Sequence, residues 1–330
     1  MSMRIKNLVK TNEFFLFMII ILLCAIFGMI NPAFFSLGNW FDILKSMIET
    51  GILAMGVLVV LISGGFDMSF MAVAVFSMHL ICLYFGKYAN DVPFYLLLLC
   101  GMAIGMVLGI CNSFFVAKCK LPPFIVTLGT SNIISGLCLA FIGSKQVNNI
   151  PAAFIDFSRW NIISVENAAG GKANLHGGIL ILVAVVVLTT VLLSKTMLGR
   201  SIYCVGGNPF SSIRIGFQNS KILVFVYAFM GTLAGLSGLL HASFQRMSNP
   251  YDMVGNELNV IAAVVIGGPR VGGGYGNTIG TILGVLLITM VNNSLVMLRI
   301  PTFWQKAVVG LIIILGTTIQ IFRYRRSRGK

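Results

Sequence analysis

Acidic residues are scarce in this chain. Nine Asp and Glu stand against 23 Lys and Arg in 330 residues, and charged residues of both signs make up only 10%. An ordinary soluble domain carries about 25% charge, so most of this surface is not made for water. The signatures of several chemistries are missing as well. There is no C-x-x-C pair, and the three histidines, His79, His176 and His241, are too scattered for a zinc site. No H-E-x-x-H occurs. The nearest approach to a nucleotide-binding G-x-x-x-x-G-K-[ST] is Gly171-Lys172, where Glu166 replaces the first glycine and Ala173 the hydroxyl residue. Gly274-x-Gly276 lacks its third glycine, because Ile279 stands there, and no strand precedes it. The seven cysteines, Cys24, Cys82, Cys100, Cys111, Cys119, Cys138 and Cys204, lie in apolar runs or basic loops, which argues against a disulfide framework.

What is present is apolar sequence from end to end, with 57% of residues hydrophobic. A spanning helix needs roughly 20 mainly apolar residues. Spans are predicted near 14–30, 47–63, 68–86, 94–117, 122–142, 178–194, 221–241, 258–268, 276–297 and 303–322. The expectation is an all-α polytopic membrane protein of about ten helices, a single transmembrane domain over 1–330 with its bundle at 14–322. The first run is read as a retained helix rather than a signal peptide, since only Asn31-Pro32-Ala33-Phe34-Phe35 follows it and no small-residue cleavage site. The eighth run covers only about 15 Å as a helix, so it needs the glycine-rich stretch beyond it to complete a crossing.

Ten crossings leave both termini on one side. That side collects Arg4, Lys6, Lys10, Lys118, Lys120, Lys195, Arg200, Arg214, Lys221, Arg323, Arg325, Arg326, Arg328 and Lys330, opposed only by Glu13. Asp42, Glu49, Asp91, Asp156, Glu166, Asp252 and Glu257 fall in or beside loops of the other side. Excess Lys and Arg mark the cytoplasmic face, so both ends are expected there, in a bacterial cytoplasmic (inner) membrane. The formal charge of +14 is thus a topology signal and not a nucleic-acid footprint, which gathers on one solvated surface.

Small residues recur every fourth position at Gly101, Gly105 and Gly109, at Gly276, Gly280 and Gly284, and at Gly231 with Gly235. These are G-x-x-x-G contacts, expected chiefly between helices of one subunit. Two loops are long: 143–177, of mixed charge and external, and 195–220, basic and cytoplasmic. Asn112-Ser113 with Pro122-Pro123-Phe124, and Asn293-Ser294 with Pro301-Thr302-Phe303, form a faint echo on opposite faces; chance similarity and an inverted repeat framing a solute path both remain open.

Three constellations stand out. In Ser63-Gly64-Gly65-Phe66-Asp67-Met68-Ser69 a glycine pair and a carboxylate interrupt apolar sequence, where a charge costs on the order of 3 kcal/mol. Asp67 is placed to cap the next helix while the glycines permit the break. Either this is a helix start presented to a polar solute or it is a capped turn at the membrane surface. Gly64, Gly65, Asp67 and Ser69, with Asn112 and Asn293 from the echo, are the candidate pathway residues. In the basic loop, Asn208 as N-cap, Pro209 at the first helical position and Gly216 as a left-handed stop predict a short helix of about two turns. Gly199, Arg200, Gly206, Gly207, Asn208, Pro209, Arg214 and Gly216 are its candidate docking residues; the alternative is an amphipathic connector. The third, Glu257 to Gly268 and its sequel, is read as helix-linking, with Glu257, Gly267 and Gly268 the defining residues.

An enzyme is disfavoured. Gly235-Leu236-Ser237-Gly238 matches a short intramembrane serine-protease element, but the only later histidine, His241, sits on the same helix and cannot face the serine. A carrier coupled to protons or sodium ions usually shows several ionisable residues in its spans, and here only Asp67, with Glu49 or Glu257, qualifies.

Taken together, Ser63-Gly64-Gly65-Phe66-Asp67-Met68-Ser69 is similar to S-G-G-I-D-L-S, and with the Leu198-Gly199-Arg200 to Gly207-Asn208 loop and Glu257 to Gly268 the chain resembles the ribose-type (sugar and autoinducer-2) permease family of ABC importers from about Asn31 to Phe322. The resemblance implies a permease subunit with no cofactor of its own, ATP being bound by a separate ABC ATPase subunit on the cytoplasmic loop. It implies a second permease, identical or homologous, a periplasmic or lipid-anchored solute-binding protein and a sugar-like solute. Phe70-Met71-Ala72 replaces the family's usual Val-Gly-Ser, and Asn259 replaces an aspartate. The solute therefore stays open among pentoses, hexoses, autoinducer-like sugars and nucleosides. The competing expectation is a facilitator or ion-coupled carrier acting without an ATPase.

Overall fold

The computed structural model describes residues 12–166, 172–301, 304–311, 314 and 318. The chain is mostly helical. Helices α1 (Asn12–Ile30), α2 (Leu37–Ile62), α3 (Phe70–Tyr88), α4 (Phe94–Ser113), α5 (Pro123–Leu137), α7 (Ile179–Lys195), α10 (Asn219–Gln245) and α12 (Thr278–Met297) form the bundle, with short helices α6 (Ala152–Ser158), α8 (Met197–Gly207), α9 (Pro209–Arg214) and α11 (Glu257–Ile266) between them. The last turns of α4 and α5 widen into π-helical segments, Phe114–Lys118 and Cys138–Ile142. Among the described residues, seven helices are long and apolar enough to cross a membrane, α4 and α5 counted with these extensions, and α7 with α8, bent by 73° at their junction, make an eighth when the pair is taken as one span. Of the predicted run at 303–322, residues 304–311, 314 and 318 are helical, and the other half lies outside the described residues.

Three sequence expectations change. The second span starts at Leu37 rather than 47, because the Ser36 hydroxyl accepts the Asn39 N–H and caps the helix there. Its polar outer half, with Asp42 and Lys45, reads as a loop in sequence yet continues the helix, so Glu49, expected near the start of the span, lies near its middle. The external loop is not wholly irregular or helical: β1 (Asn161–Glu166) and β2 (Lys172–His176) pair antiparallel. The helix predicted after Asn208 is shorter than two turns.

The bundle is built around α2. Of its most apolar window 72% is buried, against 11% for α1, so α2, with α3, α10 and α12, is the protein-facing centre while α1, α4 and α5 turn apolar side chains outward. The glycine spacing explains the closeness of the helices. A Cβ at Gly105 or Gly231 would overlap the other's carbonyl, and a Cβ at Gly235 would overlap the Gly101 carbonyl, so the α4 and α10 motifs pack on each other within one subunit. Gly280 and Gly284 of α12 likewise lie on Gly267 and Ala263 at the end of α11. All seven cysteines are free thiols.

Local contacts assign loops to faces. The Asn12 amide donates to the Ile266 carbonyl, Asn277 bonds Glu13, Ser220 donates to the Ala117 carbonyl, and Gly274 N–H donates to Ile62 O at 2.8 Å. The starts of α1, α10 and α12, the ends of α2, α4 and α11, and the α8–α9 loop therefore share one face. Lys118, Lys120, Lys195, Arg200, Arg214 and Lys221 are on it. The opposite face carries 143–166 and 172–177, where Asn149 donates to the Gly86 carbonyl and Ala152 N–H to the Asn90 side chain.

Candidate functional site

Two features meet on the basic face. The first is the break between α2 and α3. Helix α2 ends at Ser63, whose hydroxyl bonds back to Val60, and Gly64 takes φ of +77°, a conformation that an L side chain resists. The chain then runs without helix to Ser69. Asp67 is buried, and one carboxylate oxygen accepts both the N–H and the O–H of Ser69 at 2.7 Å. Asn112 of α4, also buried, donates to the Ser69 hydroxyl at 2.6 Å. A chain of neutral donors, Asn112 to Ser69 to Asp67, thus meets the carboxylate and lowers the cost of burying it.

The cap expected from Asp67 is not formed: Ser69 is the N-cap of α3, no side chain caps that end, and the carboxylate instead fixes the turn before the helix. Asp67 holds Ser69 N–H alone, while Met68 N–H goes to the Thr127 hydroxyl at 3.1 Å. The Tyr227 hydroxyl donates to the Phe66 carbonyl at 3.3 Å. Thr127 and Tyr227 are not among the sequence candidates. A hydroxyl amid the apolar residues of a span is the signal that points to them. A narrow recess adjoins Asp67, lined by Val57, Val60, Leu61, Phe66, Asp67 and Ile261, and it is too tight to hold a solute in this conformation.

The second feature is the basic loop. Helix α8 turns off α7 at Thr196, whose hydroxyl accepts the Gly199 N–H, and it ends at Gly207. Asn208 then caps α9 by accepting from Phe210 N and Ser211 N at 3.0 Å each, Pro209 occupies the first turn, and Gly216 at φ +94° closes it. This is the punctuation expected from sequence. Arg200 and Arg214 are exposed. Phe210, Ile213 and Ile215 present 80%, 60% and 67% of their surface, an apolar cluster on a basic, solvent-facing helix.

The two features touch through backbone. A Cβ on Gly206 would overlap the Ile62 carbonyl, and the Gly272–Gly274 turn closes over both, with Gly274 N–H on that same carbonyl. Gly64, Gly206 and Gly273 meet in one three-way contact. At Gly206 and Gly273 there is no room for a side chain, and Gly64 is held by its left-handed backbone. The Tyr203 hydroxyl adds a bond to the Gly276 carbonyl at 2.7 Å. Glycine runs from three distant stretches are thus one junction.

Of the remaining candidates, Gly65 lies against the Tyr227 hydroxyl. Glu257 opens α11 by accepting Gly255 N–H at 3.2 Å, and Gly267 and Gly268 end that helix against α12 and Asn12. Asn293 is not brought to Asp67. It donates to Asn39 at 3.4 Å, toward the outer half of α2, so the two echo asparagines do lie toward opposite faces.

Comparison with known proteins adds an independent line. A family described as branched-chain amino acid transport system / permease component matches residues 39–316. The chain is similar to the ribose import permease protein RbsC of Bacillus subtilis, 30% identical over 305 residues covering 92% of this chain and 91% of the relative. It is similar to the autoinducer 2 import system permease protein LsrC of Yersinia enterocolitica, 31% identical over 297 residues and covering 89% and 78%. It is also 29% identical over 328 residues to the galactose/methyl galactoside import permease protein MglC of Escherichia coli, covering 95% of each. No solved structure matches the chain.

Proposed function

The chain belongs to the family of branched-chain amino acid transport system permease components, and from that premise we propose that it is the membrane-spanning half of an ATP-driven importer for a sugar or sugar-like solute. The family's printed description names amino acids, whereas the similar permeases are named for ribose, autoinducer 2 and galactose; the sugar assignment follows the latter, which match over most of their length. The observation that carries the mechanism is the junction of Gly64, Gly206 and Gly273 behind an exposed α9. A separate ABC ATPase docks on Phe210, Ile213 and Ile215, with Arg200 and Arg214 beside them. No phosphate-binding loop is present in the sequence, so nucleotide is hydrolysed by that partner.

In this reading the polypeptide crosses ten times, α11 with residues 249–256 before it supplying one crossing and 303–322 the last, with both termini in the cytoplasm. The side-by-side placement of six Lys and Arg on one face supports the orientation. Two permeases, alike or paired with a homologue, form the path, and a periplasmic or lipid-anchored binding protein delivers solute to the 143–177 side. When the ATPases close, α9 moves, α8 carries Gly206 against the end of α2, and the break at Ser63–Ser69 rearranges. The recess at Asp67, shut here, opens as part of alternating access. Gly65, Asp67, Ser69 and Asn112 line that path. Asn293, bonded to Asn39, serves the opposite end.

The test is association. Detergent-purified permease should bring its ATPase with it, and Phe210→Asp or Ile213→Asp should release the ATPase while leaving the permease monodisperse. Unchanged co-purification in both variants removes the docking assignment.

A further inference from the structure

The backbone path between α10 and α11 places polar side chains inside the bilayer. Ser248 is on the outer face, because it exchanges two backbone hydrogen bonds at 2.8 Å with Val147 of the 143–151 loop. The far end of α11 is on the basic face, at Asn12 and Gly280. Ten helical residues rise about 15 Å, only half of a hydrocarbon core of about 30 Å. Residues 249–256 must therefore cover the other half without forming a helix. Irregular backbone at that depth persists only where it is buried in protein or lines water, and here Tyr251, Asp252, Val254, Gly255 and Asn256 are exposed.

Ionisable groups from two spans converge on the same segment. Glu49 lies thirteen residues before the end of α2, roughly 20 Å up from the basic face, and its carboxylate accepts from His241 Nδ1 at 2.8 Å. The opposite ring nitrogen of His241 is 3.6 Å from an Asp252 oxygen, beyond hydrogen-bond reach and suited to a bridging hydroxyl. That nitrogen is buried and has no hydrogen-bond partner among the described residues. Asn249 donates to the other Asp252 oxygen at 3.3 Å. Three ionisable groups at this depth mark a functional site by default, and none of them belongs to the Asp67 cluster.

We propose that Asn249–Asn256, with Glu49 and His241, lines a water-filled outer vestibule that binds a neutral polyhydroxylated solute on its way to the Asp67 recess. The inference rests on the importer reading given above. Two carboxylates and an imidazole set to exchange hydrogen bonds suit hydroxyl groups, and the exposed Tyr251 ring offers a flat apolar face to sugar C–H groups. Below the vestibule, Ile261 on α11 lines the Asp67 recess, so the two chambers follow one another along the same short helix.

The experiment uses the assembled transporter in nucleotide-free vesicles, with Asn256→Cys and Tyr251→Cys treated with a membrane-impermeant maleimide and each site read by peptide mass spectrometry. The outward-facing Val187 of α7, changed to cysteine, is the lipid-facing control. Both vestibule cysteines should label and Val187→Cys should not. Whichever of D-ribose and D-galactose the wild type takes up with ATP should, at tens of millimolar, slow labelling at Asn256→Cys, and sodium chloride should not. Adding Asp252→Ala should abolish the protection while labelling itself persists, a result that a merely structural role for Asp252 does not produce. No labelling at either cysteine overturns the vestibule. Labelling without sugar protection, protection by sodium instead, or protection that survives Asp252→Ala overturns the binding site. Failure of the importer reading looks different: wild-type uptake that needs no ATPase.

Discussion

Adjacent glycines at the end of α8 give a sharp contrast. Gly206→Ala puts a methyl into the Ile62 carbonyl, whereas at Gly207 the nearest described atom, Gly274 Cα, would be 3.9 Å from the new Cβ, an ordinary contact. The clash at Gly206 is with backbone on a buried helix end and cannot be relieved by a rotamer change. Overpacking of this kind costs about 1–3 kcal/mol, and loss of the Gly274 N–H bond to Ile62 adds about 0.5–1.5 kcal/mol. The Gly206→Ala junction is therefore destabilised by about 1.5–4.5 kcal/mol, enough to separate α8 from the end of α2. The assay is ATP-driven uptake by the reconstituted complex, read beside ATPase co-purification and thermal unfolding of the permease. Gly206→Ala should retain the ATPase on the exposed α9 yet lose most uptake, and Gly207→Ala should behave as wild type. Equal uptake by the two variants would refute the junction as the route of coupling.

Asp67→Asn keeps an acceptor for Ser69 N–H, whereas Asp67→Ala strands that buried donor at a cost of about 1–3 kcal/mol; uptake and thermal stability should both rank wild type, then Asn, then Ala, and an Ala variant equal to wild type removes the carboxylate's task. Asn208→Ala deletes the α9 cap, worth about 1 kcal/mol, so ATPase affinity should fall several-fold while Asn208→Asp preserves it, as measured by titration in detergent. In the external hairpin, burial first and the charge of Lys45 second hold the His176 imidazole below its ordinary value, outweighing carbonyl bonds that raise it. The folded state therefore favours the neutral ring, which accepts Gly178 N–H at Nδ1 and donates to the Phe157 carbonyl from Nε2. Its stabilisation is complete above the ordinary histidine value of about 6.5 and is lost as pH falls from there toward the depressed folded value. Amide exchange over 152–176, corrected for intrinsic rate, should accelerate on acidification in wild type and much less in His176→Gln.

Local punctuation is legible because it is written in single residues. Asn208, Pro209 and Gly216 fix a cap, a first turn and a left-handed stop whatever surrounds them, and Gly64 and Asp67 mark the break after α2. The G-x-x-x-G spacing at Gly101, Gly105 and Gly109 also announces a close helix contact, although the partner, Gly231 with Gly235, follows only from coordinates. Long-range convergence carries no such mark. Nothing in the sequence brings Gly273 to Gly206, and Thr127 matters only because α5 turns it toward Met68. Asp42 and Lys45 read as loop residues because the polar outer half of α2 looks like a loop by hydropathy, though Ser36 caps it as helix. The β1–β2 hairpin escapes sequence reasoning for a related reason: six residues such as Asn161–Glu166, half polar and between charged loops, show no alternation strong enough to distinguish a strand.

Powered transport by a partner is the central claim, and vesicles measure it directly. Purified permease reconstituted with its ATPase and solute-binding protein should accumulate labelled D-ribose, D-galactose or a related sugar against its gradient only when ATP is supplied to the ATPase side. The same permease alone should not. Uphill accumulation by the permease alone, without nucleotide, would contradict the account.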